Sequence, residues 1–211
     1  MHVLVLCDDI WHPACTVHSG LEPLAAEFSF DRIEGAVTLA ADQMAAYPLV
    51  ILAKSNNISA TDETPWATET IASAFRDNVS SGQGLVVIHS GTAGYADLPA
   101  LHGLIGGTFV SHPPQCPVTV EPRPGHPLGA GCEPFTVLDE HYQIRLDDPQ
   151  AEVFLTTVSA HGSQPGGWMR REGAGRVCVL TPGHNVDVWL HPSYQMLLRS
   201  ALHWCGKISV D

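Results

Sequence analysis

The sequence contains very little lysine. Only Lys54 and Lys207 are lysines among its 10 basic residues, and 22 Asp and Glu residues bring the formal net charge to −12. A surface with this charge repels the phosphates of nucleic acids and the anionic headgroups of lipids. We therefore expect neither a nucleic acid nor a membrane among the partners of this protein.

Paired cysteines and long apolar segments are also missing. The six cysteines form no C-x-x-C pair, and Cys7 and Cys178 lie in or beside short apolar runs typical of buried strands. The apolar stretch after Met1 is too short to span a bilayer, and no basic segment typical of a secretory signal precedes it. These features predict reduced thiols and a cytoplasmic protein.

Several common catalytic motifs are absent. The glycines do not form a dinucleotide fingerprint or a phosphate loop, and there is no H-E-x-x-H zinc motif. Ser90 does not lie in a G-x-S-x-G elbow, because Ile88 and Thr92 occupy the two glycine positions. A hydrolase that uses Ser90 with His184 is therefore only a minor alternative.

The first half of the chain alternates between predicted strands and helices. With 211 residues, of which 45% are hydrophobic, the chain is long enough for a sizeable core, and we expect one domain over 1–211. The predicted strands are His2–Leu6, Phe28–Ile33, Pro48–Ala53 and Leu85–Ile88. The predicted helices are Ser19–Phe28, Leu39–Ala46 and one that opens at Thr64-Pro65. This alternation predicts an α/β fold with a parallel sheet.

The second half is rich in proline and in short strands. Strands are predicted over Phe135–Leu146, Glu152–Val158 and Arg176–Leu180, before a closing helix over Tyr194–Trp204. Prolines interrupt this region, which favours antiparallel additions to the sheet over a second core.

Three histidines follow predicted strands. His12 lies in the loop after the first strand, and His89 and His184 come just after two later strands. If these strands are parallel neighbours, the three imidazoles meet at one edge of the sheet. There they would bind a divalent metal such as zinc, or act as acid, base and substrate-binding groups. The alternative for each is a hydrogen bond to a loop carbonyl.

Glu140 and Tyr142 share one face of a predicted strand, because side chains alternate along a strand. A carboxylate beside a phenol suits proton transfer at a sugar carbon or hydroxyl, provided that burial raises the pKa of Glu140. The alternative is a solvated edge strand in which Tyr142 only packs.

Further candidates for substrate binding are weaker. His112 and His126 each precede a proline, which holds the preceding residue extended and fixes the direction of the imidazole. Trp168 lies near Arg170, Arg171 and Arg176, and an aromatic face beside guanidinium groups suits a sugar ring or an acid. Solvated arginines on a strand are the commoner case.

Taken in order, several segments resemble the ThuA-like (trehalose utilization) family of the class I glutamine amidotransferase-like superfamily. The resemblance runs nearly end to end. It is carried by Trp11-His12, Gly82 to Ser90, Leu104 to Pro113, Gly125 to Leu128, Phe135, Asp139 to Tyr142, Trp168, Gly175 to Val177, Pro182 to His184, Gln195 and Trp204. It implies a flavodoxin-like three-layer sandwich with a mostly parallel sheet and added antiparallel strands in the second half.

The resemblance also implies a site and a setting. The matching polar residues are His12, His89, His112, His126, Glu140, Tyr142 and His184. His89-Ser90 stands where glutamine amidotransferases carry the nucleophilic cysteine, so glutaminase activity is not expected. Family members look like partners of sugar dehydrogenases that make 3-keto disaccharides, which implies a role in carbohydrate metabolism.

The leading hypothesis is an enzyme that acts on a sugar or 3-keto sugar by proton transfer, as an isomerase, epimerase or lyase. In it, His89 and His184 bind a metal or polarise the substrate, and Glu140 moves the proton. His112, His126, Tyr142 and Trp168 bind the substrate, and His12, His89 and His184 are the candidate ligands of a divalent metal. The alternative is a non-catalytic carbohydrate-binding or regulatory protein, and common symmetry favours a homodimer.

Overall fold

The computed structural model describes residues 1–35 and 39–208. The strands, in chain order, are β1 His2–Cys7, β2 Ser29–Glu34, β3 Leu49–Leu52, β4 Gly84–Ile88, β5 Gly107–Ser111, β6 Cys116–Pro122, β7 Phe135–Asp139, β8 Gln143–Leu146, β9 Glu152–Ser159, β10 Gly162–Glu172 and β11 Gly175–Leu180. The helices are α1 Ala14–Leu21, α2 Ala41–Ala45, α3 Glu69–Ser80, α4 Pro99–Ile105, α5 Val186–Leu190 and α6 Pro192–Cys205.

A nine-stranded sheet, in the order β2-β1-β3-β4-β11-β10-β9-β6-β7, forms the centre of the fold. The first five strands in this order are parallel, and the remaining pairings are antiparallel. Strands β5 and β8 form a separate antiparallel pair. This architecture confirms the predicted flavodoxin-like α/β fold with antiparallel strands added by the second half of the chain.

Helices cover both faces of the parallel strands. Alternate residues of β1 show this, since Val3 and Val5 pack with α1, α5 and α6 while Leu4 and Leu6 pack with α2, α3 and α4. A strand buried on both faces needs an apolar side chain at every position, which explains its continuous apolar run. Each such side chain contributes about 1.5–3 kcal/mol when buried.

Two predicted elements have other boundaries. Helix α1 begins at Ala14 and ends at Leu21, so Ser19, the predicted first residue, lies inside it. Pro23 lacks the N–H that a helix interior requires, and a short 3₁₀ turn replaces the predicted continuation to Phe28. Helix α3 begins at Glu69, and Thr68 accepts the N–H of Ile71, so this helix starts later than Thr64-Pro65.

The predicted strand Phe135–Leu146 is two strands in different sheets. Strand β7 is an edge strand of the large sheet, and β8 pairs with β5. Residues 140–142 connect them outside any strand. Among the described residues, no helix is both long enough and apolar enough to cross a membrane.

Candidate functional site

Four side chains from distant parts of the sequence meet at the carboxyl ends of the strands. His12 follows β1, His89 follows β4, Glu140 follows β7 and His184 follows β11. One ligand atom from each residue lies within 4.8 Å of the other three. The open end of a parallel sheet, where the strand order reverses, is the usual binding crevice of such folds.

The carboxylate of Glu140 lies at the centre of this cluster. Its Oε2 is 3.2 Å from Nδ1 of His184, 3.4 Å from Nε2 of His89 and 3.9 Å from Nε2 of His12. The Glu140 side chain is only 12% exposed. A carboxylate that is removed from water in this way needs compensating positive charge.

The outward-facing nitrogens of His12 and His89 have hydrogen-bond acceptors. The Nδ1–H of His12 donates to Oδ1 of Asp9, and the Nδ1–H of His89 donates to the main-chain oxygen of Thr181, each over 2.7 Å. These oxygens can only accept, so Nδ1 carries the proton in both rings. In a neutral ring, Nε2 then presents a lone pair to Glu140.

The three imidazole nitrogens that point towards Glu140 make no ordinary hydrogen bond with its carboxylate. Nε2 of His12, Nε2 of His89 and Nδ1 of His184 are buried, and none has a partner of hydrogen-bond geometry among the described residues. Lone pairs directed at a carboxylate repel it unless a cation lies between them. The arrangement thus fits either an added proton or a metal cation.

The cluster keeps Glu140 ionised. Burial alone would raise the pKa of Glu140, but its contacts with His12, His184 and His89 outweigh burial and lower that pKa below its usual range. The expectation of a raised Glu140 pKa is therefore wrong. A carboxylate with a strongly lowered pKa is a weak proton acceptor, but it is a good ligand for a cation.

The surroundings of His12 and His89 shift the pKa values of the two rings in opposite directions. Burial lowers the pKa of His12, but the carboxylates of Asp9 and Glu140 outweigh burial and raise it to about 9. His89 has its pKa lowered, chiefly because burial disfavours the charged ring. Of these two rings, His12 therefore holds an added proton more firmly in the absence of a metal.

The chain turns sharply at the end of β4 to place His89. Its φ of 47° lies in the left-handed region, which non-glycine residues rarely adopt. Two residues later, a Cβ on Gly91 would lie 2.2 Å from the main-chain oxygen of Leu52. The turn therefore needs glycine at position 91, and its strained geometry directs His89 into the cluster.

The loop that carries His184 is held by Asp139 at the end of β7. Its buried carboxylate accepts the main-chain N–H groups of Gly183 and His184 over 2.9 and 3.0 Å. This contact joins the end of β7 to the loop after β11, although the two strands are far apart in the sheet.

A cavity of about 370 Å³ opens beside the cluster, a volume near the lower end for small-molecule sites. Its wall is formed by Trp11, His12, Ser55, Ser90, Ala93, Phe109, His112, Glu140 and Tyr142. Tyr142 stacks on His89, with ring centroids 4.0 Å apart, and Nε2 of His112 lies 3.6 Å from Oε1 of Glu140. The cavity thus combines aromatic surfaces with a half-buried imidazole.

Comparison with protein-family models matches residues 8–205 to ThuA, described as trehalose utilisation. The chain belongs to the ThuA family. The family has a glutamine amidotransferase-like fold, so the resemblance inferred from the sequence is confirmed. Comparison with curated proteins gives no significant match.

Solved structures support the fold of this ThuA-family chain. A ThuA-like protein of Parabacteroides merdae aligns with a TM-score of 0.78 and 17% identity, covering 99% of this chain and 90% of that one. A ThuA-like protein of Bacteroides uniformis gives 0.72 and 20%, covering 97% and 91%. A β-galactosidase of Rahnella sp. gives 0.70 and 17%, covering 98% of this chain and 31% of that one.

Two predicted substrate-binding residues of the ThuA-family chain lie outside the cavity. Trp168 is fully buried, and its indole N–H donates to the main-chain oxygen of Ile105 over 2.9 Å. His126 caps a short 3₁₀ turn and stacks on Phe154. Trp168 therefore has no exposed surface to offer a sugar, and His126 lies outside the wall of this cavity.

The site contains residues that sequence reasoning did not assign to it. Trp11 and Phe109 supply the aromatic wall in place of Trp168, and Asp9 orients His12. Asp9 was recognisable in principle, since an aspartate three residues before a loop histidine is within hydrogen-bond reach. Nothing in the local sequence indicates the role of Thr181 or of Phe109.

The geometry of the site also bears on two other activities, hydrolysis by Ser90 with His184 and glutaminase activity. Ser90 lines the cavity, but the contacts of the described residues include no hydrogen bond between Ser90 and His184, whose Nδ1 faces Glu140. The wall described for this cavity includes no cysteine. The residue that directly follows β4 is His89, at the place where the family resemblance puts the nucleophilic cysteine of glutamine amidotransferases.

Proposed function

We propose that this ThuA-family protein is a metal-assisted enzyme that acts on a sugar or 3-keto sugar by proton transfer, as an isomerase, epimerase or lyase. A link to carbohydrate metabolism comes from the family, which is described as trehalose utilisation. The observation that carries the rest is the cluster of three imidazole nitrogens around one ionised carboxylate oxygen.

The donor set suits a divalent metal such as zinc. Imidazole nitrogens and a carboxylate oxygen bind zinc at 2.0–2.2 Å, so the ligand atoms of a tetrahedral site lie about 3.4 Å apart. The distances from Glu140 Oε2 to the three nitrogens, 3.2, 3.4 and 3.9 Å, are close to this value. A bound metal would polarise a hydroxyl or carbonyl oxygen of the substrate.

If Glu140 binds the metal, another group has to transfer the proton of the substrate. We assign that role to His112. The Nδ1–H of His112 donates to the main-chain oxygen of Pro113 over 2.8 Å, which leaves the Nε2 lone pair free to accept a proton. His112 lines the cavity and its side chain is 34% exposed, so it reaches both substrate and solvent.

Tyr142 and the aromatic wall hold the substrate in this proposal. Burial raises the pKa of Tyr142 well above its ordinary value, so its hydroxyl stays protonated and can donate a hydrogen bond. Trp11, which is 63% exposed at the rim, and Phe109 offer flat apolar surfaces for the C–H face of a sugar ring.

We place the enzyme in the cytoplasm and expect no glutaminase activity.

Metal content is the first test. Protein purified without a His tag or chelator is expected to contain one divalent metal per chain, measured by plasma mass spectrometry. His89→Ala and His184→Ala should lose it, whereas the matched control His126→Asn, at a buried histidine outside the cluster, should retain it. Wild-type protein that stays metal-free after dialysis against zinc would refute metal assistance.

Proton transfer has a separate test in deuterated water. Trehalose, glucose and their 3-keto derivatives are incubated with the protein, and deuterium incorporation at carbon is followed by NMR. We expect incorporation into at least one keto sugar, its loss in His112→Asn, and unchanged metal content in that variant. Binding of a sugar by calorimetry without any incorporation would instead favour the non-catalytic binding protein.

A further inference from the structure

Lys54 is a fully buried lysine that the proposed reaction does not use. It follows β3, and its ammonium donates to the main-chain oxygens of Asp8 and Ile58 over 3.0 and 2.8 Å. Both acceptors are neutral carbonyl groups rather than carboxylates. Burial of a charged group is costly even when it is hydrogen-bonded, so a simple packing role does not account for an ammonium at this position.

The ammonium joins two loops at the carboxyl edge of the sheet. Asp8 directly follows β1 with a φ of 73°, in the left-handed region, and its carbonyl oxygen accepts a hydrogen bond from Lys54. The second loop is tied to the core independently, because Tyr95 donates to the main-chain oxygen of Lys54 and Trp66 to that of Ser55. Lys54 therefore links this anchored loop to the end of β1, so that the position of Asp8 depends on the loop.

Asp9, which follows Asp8 in the sequence, orients His12. The buried carboxylate of Asp9 accepts the main-chain N–H groups of Trp11, His12 and Ser55 over 3.0, 3.0 and 2.9 Å. Its Oδ1 also accepts the Nδ1–H of His12 over 2.7 Å. The direction of the His12 ring thus depends on where the backbone of Asp8 and Asp9 is held.

We infer that Lys54 is a positioning residue for His12. By fixing the carbonyl group of Asp8, the ammonium holds Asp9 in place, and Asp9 in turn keeps Nε2 of His12 directed at Glu140. The consequence for metal affinity rests on the proposed function. The consequence for the orientation of His12 does not, and it can be measured in metal-free protein.

The test compares Lys54→Met with Gln83→Met. Methionine keeps an unbranched side chain but has no donor. Gln83 also donates to two main-chain oxygens, those of Met44 and Tyr47, but it lies just before β4, at the opposite end of the sheet. The readout is the downfield imidazole N–H proton resonance of His12 in metal-free protein, assigned by its loss in His12→Gln. Lys54→Arg, which keeps charge and donors, tests rescue.

We expect both variants to melt at lower temperature, but only Lys54→Met to lose the His12 resonance, with recovery in Lys54→Arg. If wild type binds zinc, Lys54→Met should weaken that binding about tenfold. A folded Lys54→Met protein that keeps the resonance would overturn the inference. If Lys54→Met does not fold, Lys54→Leu, which also lacks a donor, decides in the same way. A metal-free wild type refutes the metal proposal and leaves this test unaffected.

Discussion

His89 and Thr181 are joined by a 2.7 Å hydrogen bond between the Nδ1–H of the imidazole and the main-chain carbonyl oxygen. This bond fixes both the direction of the ring and the nitrogen that faces Glu140. Histidines that bind metals commonly donate their second ring N–H to a carbonyl or a carboxylate. His12 has the carboxylate version of this contact, with Asp9. Two of the three imidazoles are therefore preoriented for the same centre.

Asp9→Asn should weaken metal binding without removing a ligand. The variant loses the negative charge that orients and polarises His12, and loss of such a partner commonly weakens metal affinity 10–100-fold. Competition titration with a chromophoric chelator measures the change in zinc affinity. Asp97→Asn, at an exposed aspartate, is the control and should bind like wild type. Equal affinities in Asp9→Asn and wild type would contradict the assigned role.

Metal-free protein should lose stability as the pH rises from about 6.5 to about 9. The pKa of His12 is raised from 6.5 to about 9 in the folded state, so its contribution is fully present below 6.5 and disappears as the pH passes 9. That contribution is at most about 3 kcal/mol.

Urea unfolding in EDTA, followed by tryptophan fluorescence across this pH range, measures the effect. His12→Gln provides the reference for every other titrating group, and the difference between the two profiles is assigned to His12. A wild-type free energy of unfolding that falls no faster than that of His12→Gln would show that His12 holds no extra proton.

Trp168 and Trp11 should respond to substitution in opposite ways. Trp168→Ala removes a fully buried ring and should cost about 3–5 kcal/mol of stability. Trp11→Ala removes an exposed ring at the cavity rim, so stability should change by less than about 0.5 kcal/mol while the affinity for sugar falls. Urea unfolding and calorimetric titration check the two effects. Unchanged sugar affinity in Trp11→Ala would exclude Trp11 as a binding surface.

Gly91→Ala should disturb the turn that carries His89. The new Cβ would lie 2.2 Å from the main-chain oxygen of Leu52 and 2.8 Å from Cγ1 of Val87, so β3 or β4 has to move. We expect a loss of about 3 kcal/mol, together with weaker metal binding.

Gly103→Ala is the matched control for this substitution. Gly103 lies inside helix α4, and a Cβ there meets nothing within 4 Å. Alanine in a helix interior is favoured over glycine by up to about 1 kcal/mol, so this variant should be as stable as wild type or more so. Wild-type stability in both alanine variants would show that the backbone at Gly91 accommodates a Cβ.

The sequence allowed the parallel half of the fold to be predicted because its signals are local. Doubly buried strands such as β3 and β4 appear as continuous apolar runs between helical segments. Strand β10 was not predicted, since its residues Gly162–Glu172 include glycines, a proline and charged side chains. Its pairing with β9 and β11 is a property of the sheet and not of the segment.

The candidate site, like the fold, could be predicted only in part from the sequence. The ends of parallel strands meet at one edge, so the approach of His12, His89 and His184 follows from the predicted topology. Glu140 was expected to act as a base because its neighbours in sequence do not reveal the three imidazoles that lower its pKa. Trp168 was misassigned because an aromatic residue on a strand looks the same in sequence whether its ring faces solvent or the core.

The central position of β11 has a consequence for biosynthesis. This strand lies between β4 and β10 in the sheet, yet it follows all the other described strands in the sequence. During translation β4 stays without this neighbour until residues 175–180 have left the ribosome, and His184 emerges later still. No nascent chain that ends before His184 can hold the complete cluster, so the site can form only after β11 and the loop that follows it have been synthesised.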